Sequence, residues 1–236
     1  MIPARGGSKG IPNKNIVNLD DHPLIAYSIA AAKASKYISR VIVSTDSKKI
    51  ADVARQYEAE IPFMRPQNLA NDTATDLAWV KHSINYFKED EFFLPDLIVH
   101  LRPTTPLRNA ELIDDAILKF MQMPDATSLR SAHQLEESPY KMFVMDGDYY
   151  KPFMQGEGEF FNKNRQEFPH VFAPNGYVDI LRVSHIVEKD NLHGDKILAY
   201  QTPKVIEVDT PENIKELERC DIKSLPIYSH LTEMLA

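Results

Sequence analysis

Cysteine is nearly absent from this sequence, whose 236 residues include one, Cys220. A lone cysteine cannot form a disulfide bond within the chain, so nothing in the sequence indicates an oxidising compartment. The chain also lacks an apolar run near the roughly 18 residues that span a bilayer, and its N-terminus is basic and glycine-rich where a signal peptide is apolar. We therefore expect a soluble, cytoplasmic protein without a membrane partner.

Positive charge is also in short supply. Lysine and arginine total 27 against 34 aspartates and glutamates, which gives a net charge of -7. This balance argues against nonspecific binding to nucleic acids, which requires a basic surface to meet the phosphates. The eight histidines show no spacing typical of a metal site. A protein of this composition that handles anionic small molecules must gather its cations in one place.

Short β-branched runs alternate with longer helical patterns along the chain. The predicted strands are 40–45, 96–101 and 204–208. The predicted helices are 23–36, 47–57, 75–88, 110–121 and 211–220. We expect Asp46 to cap the second helix and Thr210, which is followed by proline, to cap the last. Strands that alternate with helices of this length predict an α/β fold with a doubly wound, mostly parallel sheet that is covered on both faces.

Residues 139–200 differ from the rest of the chain, because aromatic residues, prolines and loops are concentrated there. An aspartate-glycine-aspartate sequence at 146–148 predicts a hairpin turn between two short strands. We interpret 139–200 as an insertion in a single domain that covers 1–236.

The N-terminal segment 2–15 combines three glycines with Ser8 and the cations Arg5, Lys9 and Lys14. Glycine lets main-chain N–H groups approach a ligand closely, and the cations supply charge for a triphosphate. The segment matches neither the ATP-type loop G-x-x-x-x-G-K-[ST] nor the dinucleotide loop G-x-G-x-x-G. The segment could be a basic surface loop, but that interpretation explains neither the glycines nor the spacing of the cations. We therefore predict a site for nucleotide phosphates.

Residues 3–15, P-A-R-G-G-S-K-G-I-P-N-K-N, resemble the signature of the acylneuraminate cytidylyltransferases, the CMP-sialic acid synthetase family. Further family-like blocks follow in the family's order at 43–46, 65–66, 69–74, 102–108, 174–176 and 207–212. The resemblance implies a Rossmann-like nucleotidyltransferase fold with a small α+β insertion for dimerisation and sugar binding. It also implies a homodimer that uses Mg2+ to transfer CMP from CTP to the anomeric hydroxyl of an acidic nonulosonic sugar, with release of pyrophosphate.

The resemblance assigns the phosphates of CTP to the N-terminal loop. Arg5, Lys9 and Lys14 are the implied catalytic cations, which bind these phosphates and stabilise the leaving pyrophosphate, and Ser8 assists through its hydroxyl. Catalysis then rests on positioning and charge neutralisation.

The resemblance assigns the cytidine to three further nucleotide-binding residues. Asn15 and Arg65 would contact cytosine or ribose, and the main chain near Ala74 would read the base edge. Asn15 could instead cap a turn, and Arg65 could be a surface arginine.

The resemblance places five residues around the acidic sugar, namely Arg102, Lys141, Arg165, Gln166 and Asn175. A carboxylate needs a nearby cation, and arginine can bind it through two hydrogen bonds. Lys141 and Arg165 could instead be solvated residues of the insertion.

Several positions depart from the usual family pattern. Arg102 stands where glutamine is usual, Ala173 where arginine is frequent, and Asp179 where tyrosine is frequent. We expect the extra cation of Arg102 to favour a sugar with more negative charge or more hydrogen-bond acceptors than sialic acid. The family also has apolar residues upstream of Ile2, so we expect a natural start before Met1.

Glu207 and Asp209 are the predicted ligands of Mg2+. They are two residues apart at the end of the last predicted strand, so both side chains point to one face while Val208 points to the other. Two carboxylates with phosphate oxygens and water suffice for this ion. Asp209 could instead only cap the following helix, and Glu207 could be a solvated strand end.

Two other functions remain as alternatives. One is a CMP-Kdo-type synthetase for an eight-carbon acidic sugar, against which Lys9 and the pair Lys14 and Asn15 argue, because the looser Kdo signature usually lacks them. The other is a non-catalytic nucleotide-binding descendant, against which the retained charges of Lys9, Lys14, Glu207 and Asp209 argue. The sequence does not identify the sugar.

Overall fold

The computed structural model describes residues 1–235. The strands are β1 (Ile2–Pro3), β2 (Asn18–Leu19), β3 (His22–Pro23), β4 (Val43–Ser44), β5 (Leu97–His100), β6 (Ser128–Gln134), β7 (Phe143–Asp146), β8 (Tyr149–Pro152), β9 (Phe172–Arg182) and β10 (Ile197–Gln201). The α-helices are α1 (Leu24–Ala34), α2 (Lys48–Gln56), α3 (Asp76–Glu89), α4 (Ala110–Met121), α5 (Val183–Lys189), α6 (Pro211–Leu217) and α7 (Pro226–Glu233). The predicted helices are confirmed as α1, α2, α3, α4 and α6, and the first two predicted strands as the shorter β4 and β5.

Six strands lie side by side in the order β4-β1-β5-β9-β6-β10. Met1 connects β1 to β5, because its nitrogen donates to the carbonyl of Val99 (2.8 Å) and its carbonyl accepts from the nitrogen of Leu101 (3.1 Å). Strand β9 is antiparallel to both β5 and β6, whereas β1 and β4 are parallel, as are β6 and β10. The result is a mixed, mostly parallel sheet of the Rossmann-like type, in which β1, β4 and β5 end at one edge.

The segment 139–200 does not form a single unit apart from the sheet. Strands β7 and β8 form a hairpin around the predicted turn, and most of their residues are exposed. Strand β9, in contrast, lies inside the sheet between β5 and β6. Strand β10 pairs with β6 and forms the edge of the sheet. The part of the expected insertion that stands outside the sheet is therefore 139–171.

The strand predicted at 204–208 is wrong. Strand β10 ends at Gln201, and Pro203 has no N–H with which to continue its ladder. The segment that follows is held by a main-chain hydrogen bond from Val208 to the carbonyl of Thr104 (2.7 Å). This bond brings 207–209 to the sheet edge where β5 ends.

Helix α1 belongs to the core rather than to the surface, because residues 24–32 are all buried. A helix that is apolar and small on every side can be enclosed by the sheet and by neighbouring helices. Within residues 1–235, no helix has the length and apolar character to cross a membrane.

The guanidinium of Arg108 is buried beneath the edge where β5 ends. Its Nε donates to the carbonyl of Tyr177 (2.6 Å), and its Nη2 donates to the carbonyls of Arg102 (2.6 Å) and Gly176 (2.9 Å). Its Nη1 donates to the Ser28 hydroxyl (2.8 Å). Arg108 thus ties the loop after β5 to the first half of β9 and to α1.

We predict that Arg108→Met lowers the free energy of unfolding by roughly 3 kcal/mol, because several buried carbonyls lose their donor at once. Urea denaturation measures this loss. The matched control is Arg55→Met, since Arg55 is exposed and pairs with Asp52 (3.0 Å) one helical turn away; we expect a change within about 0.5 kcal/mol. Equal effects of the two substitutions would show that Arg108 does not hold this edge together.

Candidate active site

A cleft of about 460 Å³ opens at the edge where β1, β4 and β5 end. Its walls come from the N-terminal loop, the segment between β4 and α3, the loop after β5 and the residue before the α6 cap. The predicted site residues that line it are Arg5, Ser8, Lys9, Lys14, Asn15, Arg65, Ala74, Arg102 and Asp209. The structure therefore brings the predicted nucleotide residues into one place, because the ends of parallel strands meet there.

Close main-chain contacts hold the N-terminal loop against the cleft. The nitrogen of Gly6 donates to Asp46 Oδ1 (2.8 Å). Gly10 has no room for a side chain, because a Cβ there would lie 2.8 Å from the carbonyl oxygen of Asp209. The prediction that Asp46 caps α2 is wrong: Ser47 is the N-cap, its hydroxyl accepts from the first turn (3.4 Å), and Asp46 orients the loop instead.

Each cation of the loop is paired with a carboxylate. Arg5 Nη1 and Lys9 Nζ lie 3.0 Å and 2.6 Å from the two oxygens of Asp72, and Lys14 Nζ lies 3.0 Å from Asp209 Oδ1. The carboxylates of these pairs are 45% and 70% exposed, and ion pairs open to solvent are weak, so phosphate groups with more charge can replace the carboxylates. Asp72 belongs to the family-like block 69–74, but its pairing with these cations was not predicted.

Arg65 and Asn15 form parts of the cleft wall. Arg65 donates from Nε and Nη2 to the hydroxyl (3.0 Å) and carbonyl (2.7 Å) of Ser44, and its guanidinium carbon lies 5.2 Å from the ring centre of Trp79. Burial lowers the pKa of Arg65 to about 10, so it stays charged at neutral pH. The Asn15 amide donates to the carbonyl of Arg5 (2.9 Å) and so stabilises the loop itself. Trp79 lines the cleft but was not predicted.

Arg102 is held between two carboxylates. Its Nη1 donates to Asp179 Oδ2 and its Nη2 to Asp76 Oδ2, both at 2.9 Å. Burial opposes the charge of Arg102, but Asp179 and Asp76 favour it, so the net effect raises the pKa. The extra cation expected at this position is thus already balanced by two carboxylates, so its charge alone does not favour a more negatively charged sugar. Two of the departures from the family pattern, Arg102 and Asp179, are partners of each other.

Glu207 and Asp209 flank Val208, which is buried as the predicted alternation requires. Asp209 lines the cleft and accepts from Lys14, and Thr210 rather than Asp209 is the N-cap of α6. Burial raises the pKa of Glu207, and the charge of Asp209 raises it further. The negative charge of Asp209 thus disfavours ionisation of Glu207.

The oxygen ligands of Glu207 and Asp209 can be compared with those that Mg2+ prefers. In the part of the chain that the structure describes, no three His, Cys, Asp or Glu side chains form a complete metal site. Mg2+ binds hard oxygen ligands and usually takes one or two carboxylates, with phosphate oxygens and water for the rest. Glu207 and Asp209 fit such a shared site, and a cation between them would relieve their repulsion.

Three predicted sugar residues lie outside this cleft in the same chain. Arg165 and Gln166 line a second cavity of about 460 Å³, together with Phe168. Lys141 lies beside it, with Nζ 6.0 Å from the ring centre of Phe168. All three belong to the segment 139–171 that stands outside the sheet.

Asn175 does not line this cleft, and its predicted contact with the sugar stays a prediction. Its side chain is buried in β9, and its Nδ2 donates to the Thr202 hydroxyl (2.6 Å) and the Pro203 carbonyl (3.4 Å). Its Oδ1 accepts from the nitrogen of Tyr177 (3.3 Å). The amide is thus used to join β9 to the end of β10.

The chain is similar to proteins of known activity over most of its length. The family model described as Cytidylyltransferase matches residues 1–220. A CMP-N,N'-diacetyllegionaminic acid synthase of Legionella pneumophila is 33% identical over 215 residues, which are 89% of this chain and 90% of that protein. A pseudaminic acid cytidylyltransferase of Campylobacter jejuni is 32% identical over 211 residues, which cover 81% of this chain and 90% of that protein.

A third relative is longer. An N-acylneuraminate cytidylyltransferase of Escherichia coli is 30% identical over 214 residues, and the match covers 91% of this chain and 49% of that protein. This chain therefore spans about half the length of that relative.

Solved structures share the fold at lower sequence identity. A CMP:2-keto-3-deoxy-manno-octonic acid synthetase complexed with CTP has a TM-score of 0.67 at 14% identity, covering 92% of this chain and 95% of that one. A cytidylyltransferase from Leptospira borgpetersenii has a TM-score of 0.62 at 17% identity, covering 99% of this chain and 90% of that one. With the match over 1–220 and relatives above 30% identity, this chain belongs to the cytidylyltransferase family.

Proposed function

We propose that this enzyme transfers CMP from CTP to the anomeric hydroxyl of an acidic nonulosonic sugar and releases pyrophosphate. The observation that carries the proposal is the convergence of Arg5, Lys9 and Lys14 on one cleft together with Asp209. Relatives named for legionaminic, pseudaminic and N-acylneuraminic acids support a sugar of this class. We also propose a cytoplasmic location, where CTP is available.

The proposed reaction depends on exchange of ion pairs in the cleft. Arg5 and Lys9 leave Asp72 for the phosphates of CTP, and Lys14 turns from Asp209 to the same phosphates. The sugar hydroxyl then attacks the α-phosphorus, and pyrophosphate leaves in line from the opposite side. The cations stabilise the charge that develops on the leaving group, so the protein contributes positioning and charge neutralisation.

Glu207 and Asp209 are the proposed holders of Mg2+. When bound, the ion neutralises phosphate oxygens and lowers the pKa of the attacking hydroxyl. Asp209 is suited to this role because it lines the cleft, and Glu207 because it is two residues away and senses the charge of Asp209.

We predict that Asp209→Asn lowers the rate of pyrophosphate release by about 100-fold and removes most of its dependence on Mg2+ concentration, because the amide is a poor ligand for a hard cation. The free energy of unfolding should stay close to that of the unsubstituted protein. Asp52→Asn, at an exposed position of α2, is the control and should change neither quantity. A variant that keeps its rate but loses stability would rule out the metal role.

Cytosine selection is proposed for the wall formed by Arg65 and the segment 71–74. Arg65 is fixed by Ser44 and Trp79 and cannot adapt to another base edge. The turn before α3 is closed by a hydrogen bond from the Ala74 nitrogen to the Asn71 carbonyl (3.3 Å), which fixes its remaining main-chain groups. A rigid polar wall rejects a mismatched base because its buried groups then lack partners.

We predict pyrophosphate release from CTP with at least one sugar from a panel of sialic, legionaminic and pseudaminic acids, at a rate well above that with eight-carbon Kdo. Replacing CTP by UTP should lower kcat/KM by about 100-fold, the effect of losing one or two base hydrogen bonds. A coupled pyrophosphate assay measures both ratios. Equal turnover with UTP would contradict the assignment of the base wall, and activity restricted to Kdo would contradict the sugar class.

A homodimer is proposed through the hairpin of β7 and β8. Its apolar side chains are unusually open to solvent, with exposed fractions of 67% for Met145, 79% for Tyr149 and 73% for Tyr150. Apolar surface of this extent is typical of a protein interface. Lys141, Arg165 and Gln166 do not line the cleft of their own chain, which supports a role for them at the cleft of the partner.

We predict that light scattering at micromolar concentration gives twice the chain mass of 27.0 kDa. Tyr149→Asp should yield a monomer with reduced turnover, because a charge in the interface opposes association. Phe92→Asp is the matched control, since Phe92 is 89% exposed but lies outside the hairpin; it should remain dimeric. A fully active monomer would rule out a sugar site shared between two chains.

A further inference from the structure

Asp76 is a carboxylate in the cleft for which the proposed reaction gives no role. It is the first residue of α3, and its side chain is 39% exposed on the cleft wall. Its Oδ1 accepts from Trp79 Nε1 (3.0 Å), and its Oδ2 accepts from Arg102 Nη2 (2.9 Å). A carboxylate here repels both the triphosphate of CTP and the carboxylate of an acidic sugar. This unfavourable charge calls for a functional explanation.

Asp179 binds Arg102 on the side away from the cleft opening, where Asp179 is buried, and so fixes the orientation of the guanidinium. Asp179 is 1% exposed, and its Oδ2 accepts from Arg102 Nη1 (2.9 Å). Its other oxygen lies 3.7 Å from Arg130 Nε, too far for a hydrogen bond. A buried carboxylate that loses its hydrogen-bonded partner is strongly destabilising. Arg102 is therefore a fixed part of the wall, and we refer to Asp76, Arg102 and Asp179 as the charge bridge.

The charge bridge lies next to Glu207, one of the two proposed metal ligands. Gly176 has a φ of 61°, and a Cβ there would lie 3.5 Å from Arg102 Cδ and 3.7 Å from Glu207 Oε2. Arg102 and Glu207 therefore pack against the same residue. On the proposed function, a sugar whose hydroxyl is directed at the α-phosphorus has its ring substituents beside this bridge.

We propose that Asp76 is a specificity-determining residue, and that its pair with Arg102 selects a sugar bearing an uncharged group with adjacent donor and acceptor, such as an amide. The inference rests on the proposed function and deepens it. A free N–H of Arg102 donates to the amide carbonyl, and a remaining lone pair of Asp76 accepts from the amide N–H. A second acid group on the sugar is repelled by Asp76, and an ammonium group is repelled by Arg102.

The test uses one nonulosonic acid with three substituents at the same ring carbon, namely acetamido, succinamido and free amino. The succinamido group adds a carboxylate, and the amino group is an ammonium ion at neutral pH. Calorimetry with CDP in the nucleotide site gives the dissociation constant of each sugar, and pyrophosphate release from CTP is measured in parallel. The unsubstituted protein should bind the acetamido sugar about tenfold more tightly than either charged one.

The two single substitutions should shift this preference in opposite directions. Asp76→Asn removes the carboxylate that repels a second acid group and leaves Arg102 paired with Asp179 alone, so the ratio of dissociation constants moves about tenfold toward the succinamido sugar. Arg102→Gln leaves Asp76 uncovered and moves the ratio about tenfold toward the amino sugar. The double variant removes one charge of each sign, so it keeps the starting net charge and should return to within about threefold of the starting ratio. Asp52→Asn is the control and should leave all ratios unchanged.

The outcomes separate this inference from the proposed function. Variants that weaken all three sugars equally would show that the charge bridge is only structural and would overturn the inference. Ratios that stay constant while pyrophosphate is released overturn the inference and leave the proposed function intact. Ratios that shift as expected while no sugar yields pyrophosphate support the inference and contradict the proposed function.

Discussion

A single buried guanidinium sets the geometry on which the cleft depends. Arg108 binds the carbonyls of Arg102 and Gly176, which belong to the loop after β5 and to β9. Because the donors of arginine lie in one rigid plane, these two segments are held at a fixed separation. Gly176 in turn packs against both Arg102 and Glu207. The proposed sugar wall and one proposed metal ligand are thus positioned by a residue that does not line the cleft.

The second constraint is electrostatic. A chain with a net charge of -7 concentrates three cations in one loop, and cations gathered without anions would repel each other. Asp72 pairs with Arg5 and Lys9, and Asp209 pairs with Lys14, so the loop is neutralised while no phosphate is bound. These pairs are exposed and weak, and a triphosphate can therefore displace the carboxylates without a large rearrangement.

The sequence was sufficient for features that depend on local pattern or on shared strand ends. Helix α4 was predicted with its observed bounds, and Thr210 caps α6 as expected, because periodicity and capping are properties of neighbouring residues. The gathering of Arg5, Lys14 and Arg65 in one cleft was also predictable, since parallel strands end at a common edge.

Features that depend on distant partners could not be predicted from one sequence. The run at 204–208 has the pattern of a strand but lacks a ladder once Pro203 interrupts it. The Asn175 amide finds its partner Thr202 27 residues away, and the sequence does not indicate that distance. Arg102 was predicted to be an extra cation of the sugar site, and its partner Asp179, 77 residues away, could not be recognised. In each case the missing information was a tertiary contact.

The central claim is that the anomeric oxygen of the sugar forms the new bond to phosphorus. The most direct test uses a nonulosonic acid labelled with 18O at the anomeric hydroxyl, with CTP and Mg2+, and follows the products by 31P NMR. The account predicts one pyrophosphate per sugar consumed and an isotope shift on the phosphodiester phosphorus of the CMP-sugar, because the labelled oxygen becomes the bridge. A CMP-sugar without that shift, or label recovered in pyrophosphate, would contradict attack by the anomeric hydroxyl on the α-phosphorus.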